Sequence, residues 1–235
     1  MKKLSVIIPV APGERLNEQL EKQLTDFPDD WETLLCSPER PFINAAIESR
    51  TQWIQSQTGR ACCLNAGAEH AVGEYLWFLH ADSILLDMTA DTLQRTMKEN
   101  EPALYYFDLK FFSQGCHLMR LNEIGVWFRC RFLKTPFGDQ AFLIKSELFK
   151  KLPDYSEDAE YGEDHLLVRE YRRHRVSIKP IGMKILTSAR KYEEFGWLRT
   201  TVKHLSLWRK QAKQDTKNNR GNRHEIRNHQ RFFLL

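Results

Sequence analysis

Several short polar clusters stand where an apolar run ends, which is where an α/β chain places its chemistry. His80-Ala81-Asp82 follows Tyr75–Leu79, the most strand-like run in the chain. A carboxylate there can ligate a hard cation, since Mg²⁺ takes one or two protein carboxylates and fills its shell from phosphates. Asp82 can equally cap the next turn, with Ser83 beside it. Glu163-Asp164 opens a helix after Tyr161-Gly162, with Asp154, Glu157, Asp158 and Glu160 crowded upstream. Massed carboxylates raise the pKa of a buried member, and a shielded carboxylate with a raised pKa suits a general base. Paired acids at a helix start also complement the macrodipole, and one helical step should turn at most one of the two inward. His165 is read as a surface or capping neighbour.

Gly59-Arg60-Ala61 begins another helix, with Leu64-Asn65-Ala66-Gly67-Ala68 following. Free N–H groups and Arg60 at its start favour an anion such as a diphosphate, while the small residues fit close packing just as well. Neither a P-loop nor a G-x-G-x-x-G pattern is present. Gly138-Asp139-Gln140 reads as a turn or as a loop laying polar groups over a site. In Ser188-Ala189-Arg190-Lys191-Tyr192, Arg190 and Lys191 can close on phosphates or simply begin a solvated basic face.

The elements that must hold these clusters alternate. Leu4–Val10, Trp31–Cys36, Gln52–Gln55 and Tyr75–Leu79 read as strands. Glu14–Leu24, Ile43–Ser49, Arg60–Ala71 and Asp87–Glu99 read as helices, the last capped by Thr89 or Asp87. This predicts an α/β fold with a mostly parallel sheet flanked by helices. Further on, Ala103–Phe112, Gln140–Ile144 and Val176–Ile185 read as strands. Leu118–Phe132 (aromatic and basic), Ser146–Lys151, Glu163–Arg173 and Glu193–Lys213 read as helices.

Composition bounds the rest. The chain has 235 residues, 42% hydrophobic and 28% charged, with a net charge of +4. This excludes collagen-like, coiled-coil and wholly disordered chains. No apolar run reaches the roughly 20 residues of a membrane span, and the N-terminal run is too short for a signal peptide. Five cysteines without a C-x-x-C pair fit a reduced, cytoplasmic setting. From Lys184 onward there are 13 Lys+Arg against 4 Asp+Glu, a net of +9, which leaves −5 for the preceding body.

In order, Ser5-Val6-Ile7-Ile8-Pro9-Val10, the Gly59–Ala68 helix, Phe78-Leu79-His80-Ala81-Asp82-Ser83, Gly138-Asp139-Gln140, Glu163-Asp164 and Ser188–Tyr192 resemble the family 2 glycosyltransferases of GT-A (Rossmann-like) fold. The nearer resemblance is to a short bacterial branch with His-Ala-Asp in place of Asp-x-Asp. It covers roughly residues 4–205. The resemblance implies that Asp82, with His80 where the first Asp usually stands, holds Mg²⁺ or Mn²⁺ against a nucleotide-diphosphate sugar. It implies that Arg60 and Asn65 belong to the donor site, and that Asp164 of Glu163-Asp164 is the general base of a single-step, inverting transfer to a hydroxyl. Two departures stand out. After the first strand only Glu14 can replace the family's Asn-Glu, and Cys36-Ser37-Pro38-Glu39-Arg40 lacks the acid that usually meets the nucleotide base.

Three parts are expected: a catalytic domain over 1–190, an amphipathic helix over 191–213 and a basic tail over 214–235. Phe195, Leu198, Val202, Leu205 and Trp208 form one apolar stripe, which suits packing on the body or, through residues 195–213, peripheral contact with the inner face of a membrane. The scarcity of aromatics in the tail argues against nucleic acid. The competing readings are a degenerate transferase-like domain that binds a nucleotide or partner and docks through its tail, and a nucleotidyltransferase. The second lacks a phosphate-gripping loop in Ala11–Arg15.

Overall fold

The computed structural model describes residues 2–112, 119–159 and 162–188. Its centre is an eight-stranded sheet in the order β3-β2-β1-β4-β7-β6-β8-β5. β1 (Leu4–Pro9) is apolar on both faces and accordingly takes a central place. β2 (Trp31–Ser37) and β4 (Tyr75–Phe78) flank it in parallel, and β3 (Thr51–Gln55) extends the parallel half beyond β2. β7 (Phe142–Lys145) then runs antiparallel to both β4 and β6 (Ala103–Phe112). β8 (Ser177–Ser188) is parallel to β6, and the two-residue β5 (Ile84–Leu85) closes the edge antiparallel to β8. The sheet is therefore mostly parallel, as expected, but mixed, with four parallel and three antiparallel pairings. Pairing of β7 between two strands distant in sequence leaves no local signature, and β5 is too short for an alternation to register.

Helices cover both faces. α1 (Glu18–Thr25), α2 (Ala45–Glu48) and α4 (Thr89–Glu99) pack with Leu4, Val6, Ile8 and Trp77 on one side. α3 (Arg60–His70), α6 (Ser146–Lys150) and α7 (Glu163–Arg173) pack with Ile7, Leu34, Leu76 and Phe78 on the other. The alternation along β1 and β4 decides which side chain serves which core. α1 begins later than the expected Glu14, because Asn17 caps it by accepting from the N–H groups of Gln19 and Leu20. α4 is preceded by Met88 in left-handed backbone, and neither Asp87 nor Thr89 caps it. The aromatic, basic segment forms α5 (Met119–Phe128) and a π-helical turn over Arg129–Leu133.

Gly67 sits where α3 crosses the strands, and a Cβ there would lie 2.7 Å from Cys36 Sγ. The small residue thus serves close packing on the sheet. The helix expected over Glu193–Lys213, the apolar stripe and the tail lie outside the described residues.

Candidate active site

The C-terminal ends of β1, β2 and β4 share one edge of the parallel half. Tyr-Leu-Trp-Phe of β4 is wholly buried, and the chain emerges from it at His80-Ala81-Asp82. The loop after β1 is fastened to this turn, since Asn17 N–H donates to the Ala81 carbonyl at 2.8 Å. Asp82 is 47% exposed at the mouth of the edge, its Oδ1 lying 3.9 Å from His80 Nδ1.

Arg60 enters from the start of α3. Gly59 before it has φ 128°, backbone that side chains other than glycine's rarely adopt, which aims the first turn at β4. The guanidinium touches three groups. Its Nη2 meets His80 Nε2, its Nε stands 3.3 Å from Glu163 Oε1, and Nη2 lies 3.2 Å from Asp164 Oδ2. A guanidinium only donates, so Nε2 of His80 accepts and the ring proton sits on Nδ1, toward Asp82.

Glu163 and Asp164 are both buried, each 7% exposed. This corrects the expectation that at most one would face inward: consecutive side chains of a first helical turn can straddle one cation, and Arg60 is that cation. The helix start also favours their charge. The Gly138–Gln140 3-10 turn lies directly over Asp164. The Gly138 N–H favours its charged form, and a Cβ on Gly138 would fall inside that carboxylate. Burial above all, then Glu163 and Asp139, push Asp164 up, while Arg60 and the Gly138 N–H pull it down; the balance lies at about 6. Asp139 is likewise raised, chiefly by burial and in part by Asp82, against the pull of Arg129 and Arg60. Six ionisable groups, Arg60, Asp82, Arg129, Asp139, Glu163 and Asp164, are therefore linked electrostatically. Within this cluster, Oδ1 of Asp139 and Oδ1 of Asp164 are buried without a hydrogen-bond partner among the described residues. Unmet buried acceptors of this kind call for a donor that the described residues do not supply.

Other expected residues fall elsewhere. Gln140 is fully buried and holds the turn together. Its Nε2 donates to the Phe107 carbonyl at 2.9 Å, and its Oε1 accepts from Phe137 N–H, Cys130 Sγ and Arg129 Nη2. Asn65 faces the other way, pairing with the backbone N–H and carbonyl of Tyr155 at 3.0 and 2.9 Å and with Glu157. It straps α3 to a distant loop and does not reach β4. Glu14 is exposed at the right edge, where its Oε2 closes the loop by accepting from Ala11 N–H. Arg190 lies outside the described residues.

Some neighbours carry no sequence signal. Arg129 stacks on Phe137 at 3.3 Å, bonds the Thr135 carbonyl and braces the Gly138 turn through Gln140. Phe137 packs edge-on against His165, which is buried; burial, with Arg129 and Arg169, pushes it down to about 3 and keeps it neutral. Tyr155, buried beneath the site, packs on Phe78 at 5.2 Å. These roles depend on a π turn and a long loop whose partners are remote in sequence.

Among the described residues no group of three or more His, Cys, Asp and Glu converges as a closed metal cage. The donor set fits a different arrangement, a cation held by one or two carboxylates and completed by substrate phosphates. Asp82 supplies a half-exposed carboxylate, and Asp139, close enough to feel its charge, has an oxygen with no hydrogen-bond partner among the described residues. His80 fits less well than expected as a ligand, because its Nε2 is turned to the Arg60 guanidinium.

Residues 54–157 match the family described as Glycosyl transferase family 2. Among solved structures, S. aureus TarS 1-349 in complex with UDP-GlcNAc aligns with TM-score 0.59 and 18% identity, over 79% of this chain and 58% of that one. A mannosyltransferase from Pyrobaculum calidifontis in complex with GDP-Man and Mn²⁺ aligns with TM-score 0.57 and 17% identity, over 78% and 56%. Glucosyl-3-phosphoglycerate synthase from Mycobacterium tuberculosis aligns with TM-score 0.52 and 13% identity, over 77% and 71%. The chain thus spans 58% and 56% of the first two, and at these identities the likeness establishes the GT-A fold. No curated protein sequence gives a significant match.

Proposed function

We propose that the chain is a glycosyltransferase that moves a sugar from a nucleotide-diphosphate donor to a hydroxyl acceptor, with inversion. The observation that carries this reading is Asp164. It is a buried carboxylate, raised to about 6, with one oxygen unmet among the described residues, at the edge of the sheet where Asp82 emerges. Asp164 Oδ1 takes the proton of the acceptor hydroxyl. The acceptor oxygen bonds to the anomeric carbon as the bond from that carbon to the diphosphate breaks, and inversion follows from this single displacement. Arg60 bridges Glu163 and Asp164 and is placed to give part of its charge to the diphosphate when a donor enters. Asp82, with Asp139 beside it, would hold Mg²⁺ or Mn²⁺, which would supply charge neutralisation for the departing diphosphate. The donors named for the solved neighbours, UDP-GlcNAc and GDP-Man, support the substrate class.

A panel of nucleotide sugars with Mn²⁺ or Mg²⁺ tests this by thermal stabilisation and nucleoside-diphosphate release. At least one donor should stabilise the chain and be turned over, chelation should abolish turnover, and Asp82→Ala should lower it by about 10²-fold or more. Indifference to every donor, or undiminished turnover in Asp82→Ala, rejects the reading.

A second reading, a degenerate domain that binds without turnover, is favoured by the segment after β2. Cys36 there is buried and Ser37 Oγ is spent on the Glu39 carbonyl and Trp53 Nε1, and no Asp stands in Cys36-Ser37-Pro38-Glu39-Arg40 to meet a nucleotide base. It predicts donor-induced stabilisation with no nucleoside diphosphate released.

A further inference from the structure

Ten large apolar side chains are exposed among the described residues, and six of them lie between Met119 and Leu133. They are Leu121, Ile124, Trp127, Phe128, Phe132 and Leu133. α5 buries Met119 and partly buries Val126 against the core, so its opposite face carries the cluster outward. Three of its aromatic rings are in contact. The rings of Phe128 and Phe132 are 4.3 Å apart, and those of Trp127 and Phe132 are 6.4 Å apart, edge to face. Single exposed apolar residues are ordinary, whereas a contiguous aromatic patch marks a surface that is covered in use.

The outward charged groups of residues 119–134 are of one sign. Arg120 and Lys134 are exposed at the two ends of the patch, and Arg131, held by Asp108 and Tyr106, lies 5.7 Å over the Trp127 ring. Glu123, the acid between Met119 and Lys134, turns its carboxylate inward to accept from Phe111 N–H at 2.9 Å. An apolar centre of Trp, Phe and Leu with a Lys/Arg rim and no outward carboxylate matches the interfacial zone of an anionic bilayer. Two copies of this patch face to face would oppose their cationic rims, which disfavours a second chain as the occupant.

We infer that α5 and the π turn dock the protein on an anionic lipid surface. The same π turn carries Arg129, which braces Phe137 and Gln140 beneath the Gly138 turn, so the docked surface lies one layer from Asp164. Docking does not depend on the transfer chemistry, and it is measured without any donor.

Full-chain protein is sedimented with phosphatidylcholine vesicles with and without phosphatidylglycerol. It should partition onto the anionic vesicles, and an Ile124→Glu/Phe132→Glu variant with an unchanged melting temperature should partition at least about tenfold less. Wild type and the variant both keep the basic C-terminal segment, so equal sedimentation assigns binding to that segment and overturns the inference. Brominated lipid should quench tryptophan fluorescence in wild type, and Trp127→Phe, which keeps an aromatic ring in place, should lose that quenching. Absence of vesicle binding, or a stable dimer in ultracentrifugation that Ile124→Glu/Phe132→Glu dissolves, also overturns it.

Discussion

Asp164 is set by opposing causes that mutation can separate. Burial, Glu163 and Asp139 raise it; Arg60 and the Gly138 N–H lower it, to about 6 in balance. A base acts when deprotonated, so nucleoside-diphosphate release should rise with pH through about 6 and then level. Arg60→Gln removes the strongest downward pull, and the midpoint of that rise should move upward; a midpoint that stays in place contradicts the role given to Arg60. The stability sign is equally definite. An acid whose folded pKa is raised above its unfolded value stabilises the fold below the unfolded value, and that contribution is lost as pH rises toward about 6. At neutral pH the ionised Asp164 is therefore a burden, and Asp164→Asn should raise the melting temperature, by roughly 1–3 kcal/mol of stability. Calorimetry of the two proteins checks this, and a lower melting temperature in the variant refutes it.

Two glycines show how elements hold the site. Gly67 lets α3 lie against β1 and β2, whereas Gly138 lets the 3-10 turn lie against Asp164. Gly67→Ala should lower stability by about 1–3 kcal/mol through overpacking, with residual turnover at permissive temperature near wild type. Gly138→Ala should cut turnover by about tenfold or more, since the added Cβ displaces the carboxylate and its N–H donor. Melting curves and turnover measured together distinguish the two, and equal loss of turnover in both contradicts the division. Much of this framework is legible in the sequence wherever the signal is local. β1, β2, β4, α3 and α7 follow from apolar runs, glycine breaks and charged first turns. What is not legible is pairing at a distance. Nothing near Asn65 announces Tyr155, and nothing near Arg129 announces Phe137 or the π turn that delivers it. The inward turn of both Glu163 and Asp164 needs Arg60, a residue from another helix.

At the scale of the molecule, the sheet divides at β4–β7 into a parallel part and a part built on antiparallel pairing. The parallel part offers His80, Asp82 and the start of α3. Beyond it, the turn before β7 and the start of α7 bring Asp139, Glu163 and Asp164, and the cluster forms where the two parts meet. The charge of the chain is divided as well, with −5 before Lys184 and +9 from there on. The measurement closest to the central claim compares wild type with Asp164→Asn in single-turnover transfer from a nucleotide sugar at saturating protein. Wild type should release nucleoside diphosphate from at least one donor, and Asp164→Asn should bind that donor with similar affinity yet release it about 10²- to 10⁴-fold more slowly. Release at the wild-type rate by Asp164→Asn, or no release from any donor by wild type, would contradict the account.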